Sequence, residues 1–122
     1  MTRIFKNKMK NIIKKEERIK VESSKECSVF EYHFDDKDIE LSCAEIRGRY
    51  PQEGFAMNEK IKEIFFIEKG KGKINIEGKD FNIYEGDVIL IQPKQKYFWQ
   101  GSLDIVLACN PKFTSEQHKN IK

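Results

Sequence analysis

"FAMNEKIKEIFFIEKGKGKINIEG", residues 55–78, holds the alternation on which the fold turns. An apolar run, Ile64–Ile67, leads to Gly70 and Gly72; a second strand-like run follows and closes at Glu77-Gly78. Short apolar runs bounded by glycine turns are the signature of strands. Residues two apart in a strand share a face, so if Glu63 points inward, Phe65 and Ile67 point in with it. Ile64 and Phe66 then face outward, yet they are equally apolar. A strand apolar on both faces is covered on both sides. The expected cover is a second subunit, giving a homodimer, with the N-terminal arm as the alternative.

The same pattern extends in both directions. Strand-like runs are "SVFEYHF", "ELSCAEIRGRY", "EIFFIEK", "GKINIEG", "KDFNIY", "DVILIQ", "QKYFWQ" and "LDIVLACN". Turn signals separate them at Asp35-Asp36, Lys69-Gly70, Glu77-Gly78, Glu85-Gly86, Pro93 and Gly101. About eight short strands with regular turns predict an all-β antiparallel sandwich or barrel. The tail "TSEQHKNIK" is expected to form a turn or two of helix, capped by Thr114 or Ser115. Gly70 and Gly72 match neither the Walker spacing nor G-x-G-x-x-G, so they read as hairpin glycines, not a phosphate cradle.

At 122 residues the chain is expected to form one domain. Its net charge of +3 hides an asymmetry: residues 1–26 carry nine Lys/Arg against four Glu, and residues 27–122 carry 14 against 16. The division is therefore a basic arm over 1–26 and a mildly acidic body over 27–122. Nucleic-acid binding by the body is not expected, because it lacks a basic excess. Ile4, Phe5, Met9, Ile12 and Ile13 fall at helical spacing in the arm, and Met9 offers a second start. No run is long enough to span a bilayer, and the N-terminus lacks a signal core. Cys27, Cys43 and Cys109 form no C-x-x-C pair. They read as reduced thiols of a cytoplasmic protein.

Two motifs give the chain a relative. Glu63, six residues and Gly70 fit the second half of the first cupin motif, and "GDVILIQPKQKYFWQG" follows the outline of the second. Over about residues 40–110 the sequence resembles the cupin superfamily. That resemblance implies a double-stranded β-helix, or jelly-roll barrel. In metal-binding cupins, two histidines precede the glutamate and a third lies in the second motif. Here those places fall on Met57 and Glu59, or Ala56 and Asn58, and on Tyr97. Of the four ligands only Glu63 is present, so neither metal nor other cofactor is expected. A rescued site would need Glu59, Cys43, Cys109 or His118 to converge on Glu63.

The candidate site follows. Glu63, Phe65, Tyr97 and Trp99 would form an aromatic pocket suited to a sugar-like or other small cyclic ligand. Arg47 and Arg49 share a strand face in "EIRGRYPQEG", with Tyr50 beside them. They could hold a carboxylate or phosphate, or pair with surface acids. Asn58 is a candidate polar reader of the ligand. A carboxylate in an apolar barrel must be paired, hydrogen-bonded or protonated, which makes Glu63 a candidate acid–base group. Tyr97 and, if the tail folds over the mouth, His118 are the other catalytic candidates. Cys109 reads as a buried thiol. Three functions remain open: a metal-free module binding a small polar metabolite, a metal-independent isomerase or epimerase, and an interaction protein that dimerises. A metal-dependent enzyme with an unusual ligand set is a weaker alternative to these.

Overall fold

A computed structural model describes residues 10–122. The described residues form nine strands: β1 (Ile19–Ser24), β2 (Cys27–Tyr32), β3 (Glu40–Tyr50), β4 (Phe55–Asn58), β5 (Lys62–Ile76), β6 (Lys79–Tyr84), β7 (Val88–Ile91), β8 (Lys96–Asn110) and β9 (His118–Ile121). All pairings are antiparallel. The path runs β1-β2-β3-β8-β4-β9, and β5 pairs with β6, β7 and β8. This is the all-β barrel that the turn spacing predicted. Among the described residues no helix is long and apolar enough to cross a membrane.

The strand count differs from the sequence reading for identifiable reasons. Two expected pairs of short strands are single 15-residue strands, β5 and β8, because Gly70 and Gly101 lie within strands and not at turns. Three short strands, β1, β4 and β9, were not anticipated. Residues 19–24, assigned by charge to the arm, form β1, which pairs with β2 from Ile19↔Glu31 onward. The barrel therefore begins before residue 27. Of the amphipathic arm, Ile4, Phe5 and Met9 lie outside the described residues; Ile12 is exposed, and only Lys15–Glu17 make a 3-10 turn. The tail likewise forms a single 3-10 turn, Ser115–Gln117, and Thr114 makes no side-chain cap.

Alternation places the core. Phe65 and Ile67 on β5, Ile89 and Ile91 on β7, and Tyr97, Trp99, Leu103 and Ile105 on β8 are all buried. Phe65 meets Trp99 edge-on, with ring centroids 5.0 Å apart. Such pairing adds to the burial of large rings and fixes their orientation.

A row of glycines lies across the three long strands. Gly48, Gly101 and Gly72 stand opposite one another on β3, β8 and β5. Gly101 has φ +140°, and a Cβ there would lie 2.6 Å from the Gly72 Cα and 2.7 Å from the Lys71 carbonyl oxygen. Backbone presses against backbone, so only glycine fits. Gly101→Ala is expected to destabilise the fold by about 3 kcal/mol, from overpacking and strain together. Chemical denaturation checks this; unchanged stability would show that the strands can part at this row.

Candidate functional site

Register fixes what faces the barrel interior. Glu40 on β3, Cys109 on β8, Glu63 on β5 and Ile91 on β7 stand in one row across four strands, and all four are buried. The next inward row holds Ser42, Leu107, Phe65 and Ile89. Glu40, Ser42, Glu63, Phe65, Leu107 and Cys109 of these rows, with Tyr50, Tyr97 and Trp99, wall a cavity of about 160 Å³. Ligand pockets for drug-sized molecules run to roughly 300–1,000 Å³, so this one suits a single small ring.

At one end of the cavity the side chains form a hydrogen-bonded chain. Asn58 Nδ2 donates to Glu63 Oε1 at 2.9 Å. Asn58 Oδ1 faces two nitrogens, His118 Nδ1 at 2.7 Å and Gln117 Nε2 at 2.9 Å. An amide oxygen only accepts, so His118 Nδ1 carries a proton. In the neutral ring, Nε2 is then the acceptor, and it receives the Tyr50 hydroxyl at 3.2 Å. The order Tyr50→His118→Asn58→Glu63 thus follows from the donor and acceptor identities alone.

The C-terminal tail is held in place to complete this chain. Strand β9 pairs with β4, setting His118 opposite Asn58. Gln117 is buried; its Oε1 accepts the backbone N–H of Lys60 and of Ile61, at 3.1 and 3.3 Å. Its carbonyl accepts Glu59 N–H at 2.9 Å. Pairing the tail with β4 therefore brings a histidine to a site that has none nearby in sequence.

Burial sets the protonation of the group. It raises the Glu63 carboxyl from its ordinary 4.5 to about 7, while hydrogen bonds from Asn58 and Tyr97 act against the rise. Burial pushes the His118 imidazole down, so it is neutral at pH 7. It lifts Tyr50 to about 12 and Tyr97 well above its ordinary range, and the nearby Glu63 charge raises both further. Cys109 is lifted to about 12, chiefly by burial, so it is a thiol and not a thiolate nucleophile.

Six of the expected residues, Tyr50, Glu63, Phe65, Tyr97, Trp99 and His118, line the cavity. Asn58 is a correction. At 1% exposure it lies behind the wall and holds Glu63 and His118 instead of meeting a ligand. Arg47 and Arg49 are corrections too, because Ala44 and Ile46 take the inward parity of β3. Arg47 bonds the Asp104 carboxylate at 2.7 Å. Arg49 bonds the carbonyls of Pro51 and Gly54, and its guanidinium lies 3.8 Å from the Phe98 ring centroid. Neither lines the cavity.

Residues the sequence reading missed are Glu31, Glu40 and Ser42, which also line the cavity, and the buried Gln117. His33 Nε2 bridges Glu31 at 2.7 Å and Glu40 at 3.7 Å. Alternation in "ELSCAEI", with Ala44 and Ile46 inward, gives Glu40 and Ser42 the same face. That signal was available.

The donor set does not fit the metal of metal-binding cupins. Tyr97 stands in one ligand place, His118 and Glu63 are both engaged by Asn58, and no group of three or more His, Cys, Asp or Glu converges among the described residues.

Residues 40–100 match the model of the AraC-like ligand binding domain. The chain belongs to this cupin-type family. Its fold is similar to that of Pac13 from Streptomyces, solved as a variant with uridine (TM-score 0.84, 16% identity, 93% of this chain and 92% of that one). Pac13 is described as a nucleoside dehydratase. KdgF from Halomonas sp. (TM-score 0.71, 12% identity, 88% and 99%) and ectoine synthase from P. lautus (0.72, 14%, 93% and 91%) share the barrel. At these identities the likeness is one of fold. No curated protein matches the chain in sequence.

Stability should report the Glu63 proton. Its folded-state value lies above the unfolded one, so the native state binds the proton more tightly, and stability falls as pH rises from 4.5 through about 7. His118 acts oppositely, because its lowered value costs stability as pH falls below 6.5. Glu63→Gln removes the first effect only. The stability of the wild type relative to this variant should drop by about 3 kcal/mol between pH 4.5 and 8. Denaturation across that range measures it, and a constant difference would mean that Glu63 titrates normally.

Proposed function

We propose that this cupin-type domain binds a small, uncharged, hydroxyl-bearing ring in its barrel and transfers protons to and from it without a metal. The observation that carries the reading is the chain Tyr50–His118–Asn58–Glu63 on the wall of an aromatic cavity. A carboxyl near neutrality takes or gives a proton at little cost, and a neutral imidazole fixed in one tautomer keeps the Tyr50 hydroxyl oriented. Epimerisation and elimination both need such groups on more than one side of a substrate. The Pac13 likeness makes one ring of a nucleoside a candidate.

The charge of the cavity narrows the ligand. No Lys or Arg lines it, whereas Glu31, Glu40 and Glu63 do. A phosphate or carboxylate would enter without a cation to pair with, at a prohibitive desolvation cost. This argues against the anionic ligands that Arg47 and Arg49 had suggested. Trp99 and Phe65 supply flat apolar area for the faces of a ring, and the tyrosine and glutamate tips supply hydrogen-bonding partners for its hydroxyls. A small-molecule partner in the cytoplasm agrees with three free thiols, of which Cys27 and Cys109 are held protonated by burial. Binding without turnover is the second reading, favoured by the Asn58 and Tyr97 hydrogen bonds that also give Glu63 a structural role.

Calorimetric titration with neutral nucleosides and monosaccharides, each beside its phosphorylated counterpart, tests the ligand class. Neutral compounds should bind, and phosphates should bind at least tenfold more weakly; the reverse order would sink the proposal. With a bound compound in hand, Glu63→Gln and Tyr50→Phe should leave affinity within a few-fold and lower turnover by about 10²–10⁴. Bound ligand that no variant and no wild-type protein converts would establish the binding module instead.

A further inference from the structure

One polar side chain of the cavity has no partner in the protein. Ser42 is 7% exposed and lines the cavity from β3, yet among the described residues its hydroxyl makes no hydrogen bond. Every fully enclosed side-chain oxygen and nitrogen there is paired, so this hydroxyl opens into the cavity and is not sealed in the wall. A buried hydroxyl without a partner costs free energy, and one turned into a cavity is offered to whatever enters.

Two carboxylates stand beside it. Antiparallel pairing sets Glu31 on β2 directly across from Ser42. Glu40 lies two residues away along β3, on the same face, and across Cys109 of β8 from Glu63. One oxygen of each carboxylate is already held: Glu31 Oε1 by His33 Nε2 at 2.7 Å, and Glu40 Oε1 by the Phe113 N–H at 3.2 Å. The second oxygens are not. Glu40 Oε2 is 3.7 Å from His33 Nε2, beyond hydrogen-bond range, and among the described residues Glu31 Oε2 bonds nothing. What this part of the wall offers is therefore two acceptors and a hydroxyl that bonds neither.

We propose that Glu31, Ser42 and Glu40 form a subsite that reads two neighbouring hydroxyls of the ring, which makes the ligand a vicinal diol such as a furanose. The inference rests on the reading of the cavity as a binding site for a neutral ring. Donor and acceptor identities select the diol. Each carboxylate oxygen accepts one hydroxyl proton, and a hydroxyl bound in this way still has a lone pair to accept the Ser42 O–H. An ammonium group only donates, so it would satisfy the carboxylates and leave the Ser42 proton unbonded. A single hydroxyl would reach one carboxylate and leave the other without a partner. By engaging Glu31 Oε1, His33 fixes which oxygen remains for the ligand. Glu63 is two strands from Glu40, so the proton-transferring carboxyl and the diol readers meet different parts of the ring.

Calorimetric titration of the full chain tests the subsite with two neutral pairs, uridine beside 2′,3′-dideoxyuridine and ribose beside 2-deoxyribose. The diol should bind at least about tenfold more tightly than its deoxy partner, the loss expected for hydrogen bonds to charged groups. Ser42→Ala and Glu40→Gln should each shrink that ratio severalfold while leaving the affinity for the deoxy compound nearly unchanged. Because its hydroxyl bonds nothing in the protein, Ser42→Ala should also melt with the wild type, so the comparison stands even where a glutamate variant fails to fold. Equal binding of diol and deoxy compounds would overturn the subsite and leave the ring-binding reading in place. Glucosamine binding more tightly than glucose would give the carboxylates to an ammonium group and overturn the diol. If other neutral rings bind but uridine and ribose do not, the subsite falls alone; if no neutral ring binds, both fall.

Discussion

Asn58 is fully buried, and its amide has one side that only donates and one that only accepts. The donor side meets the Glu63 carboxyl; the acceptor side collects N–H groups from Gln117 and His118. A carboxylate at this position would set two acceptors against Glu63, and an apolar residue would take one hydrogen-bond partner from each of Glu63, Gln117 and His118. Either change carries the penalty of an unsatisfied interior group, about 1–3 kcal/mol each. The amide therefore joins three separate parts of the chain: β4, the strand carrying Glu63, and the C-terminal tail. No buried side-chain nitrogen or oxygen lacks a partner among the described residues, so the network is closed. Closed networks rigidify what they hold, and here that includes the imidazole tautomer.

The cavity's chemistry is a consequence of register. Glu40, Cys109 and Glu63 share a row because β8 is the common neighbour of β3 and β5 along nearly its whole length. A slip of one residue in either pairing would send the carboxylates outward and bring in Leu41 or Ile64. The glycine row protects that register, since Gly101 and Gly72 interlock only when opposed. Fold and site therefore rest on the same pairings.

Much of this was legible in the sequence. Period two along "KEIFFIE" and "KYFWQ" put Glu63, Phe65, Tyr97 and Trp99 on inward faces, and they are there. The same rule applied to "CAEIRGRY" places Ala44 and Ile46 inward and Arg47 and Arg49 outward. The reading that gave the arginines to the pocket weighed their charge above their parity. Other features had no local signal. β4 and β9 are four residues each, and their pairing joins positions some 60 apart in sequence. Gln117 acts largely by accepting backbone N–H groups, which any sequence offers everywhere. Glycines within long strands look like turns until the neighbouring strand is known.

Strand β5 shows how little room the design leaves. Glu63 and Phe65 line the cavity with Ile67 buried next to them, while Ile64 and Phe66 face outward. A carboxylic acid kept near neutrality needs a dry, rigid wall, and a strand with water on one side exchanges and flexes more readily than one covered on both. That both faces are apolar is best understood as one requirement placed on a single strand.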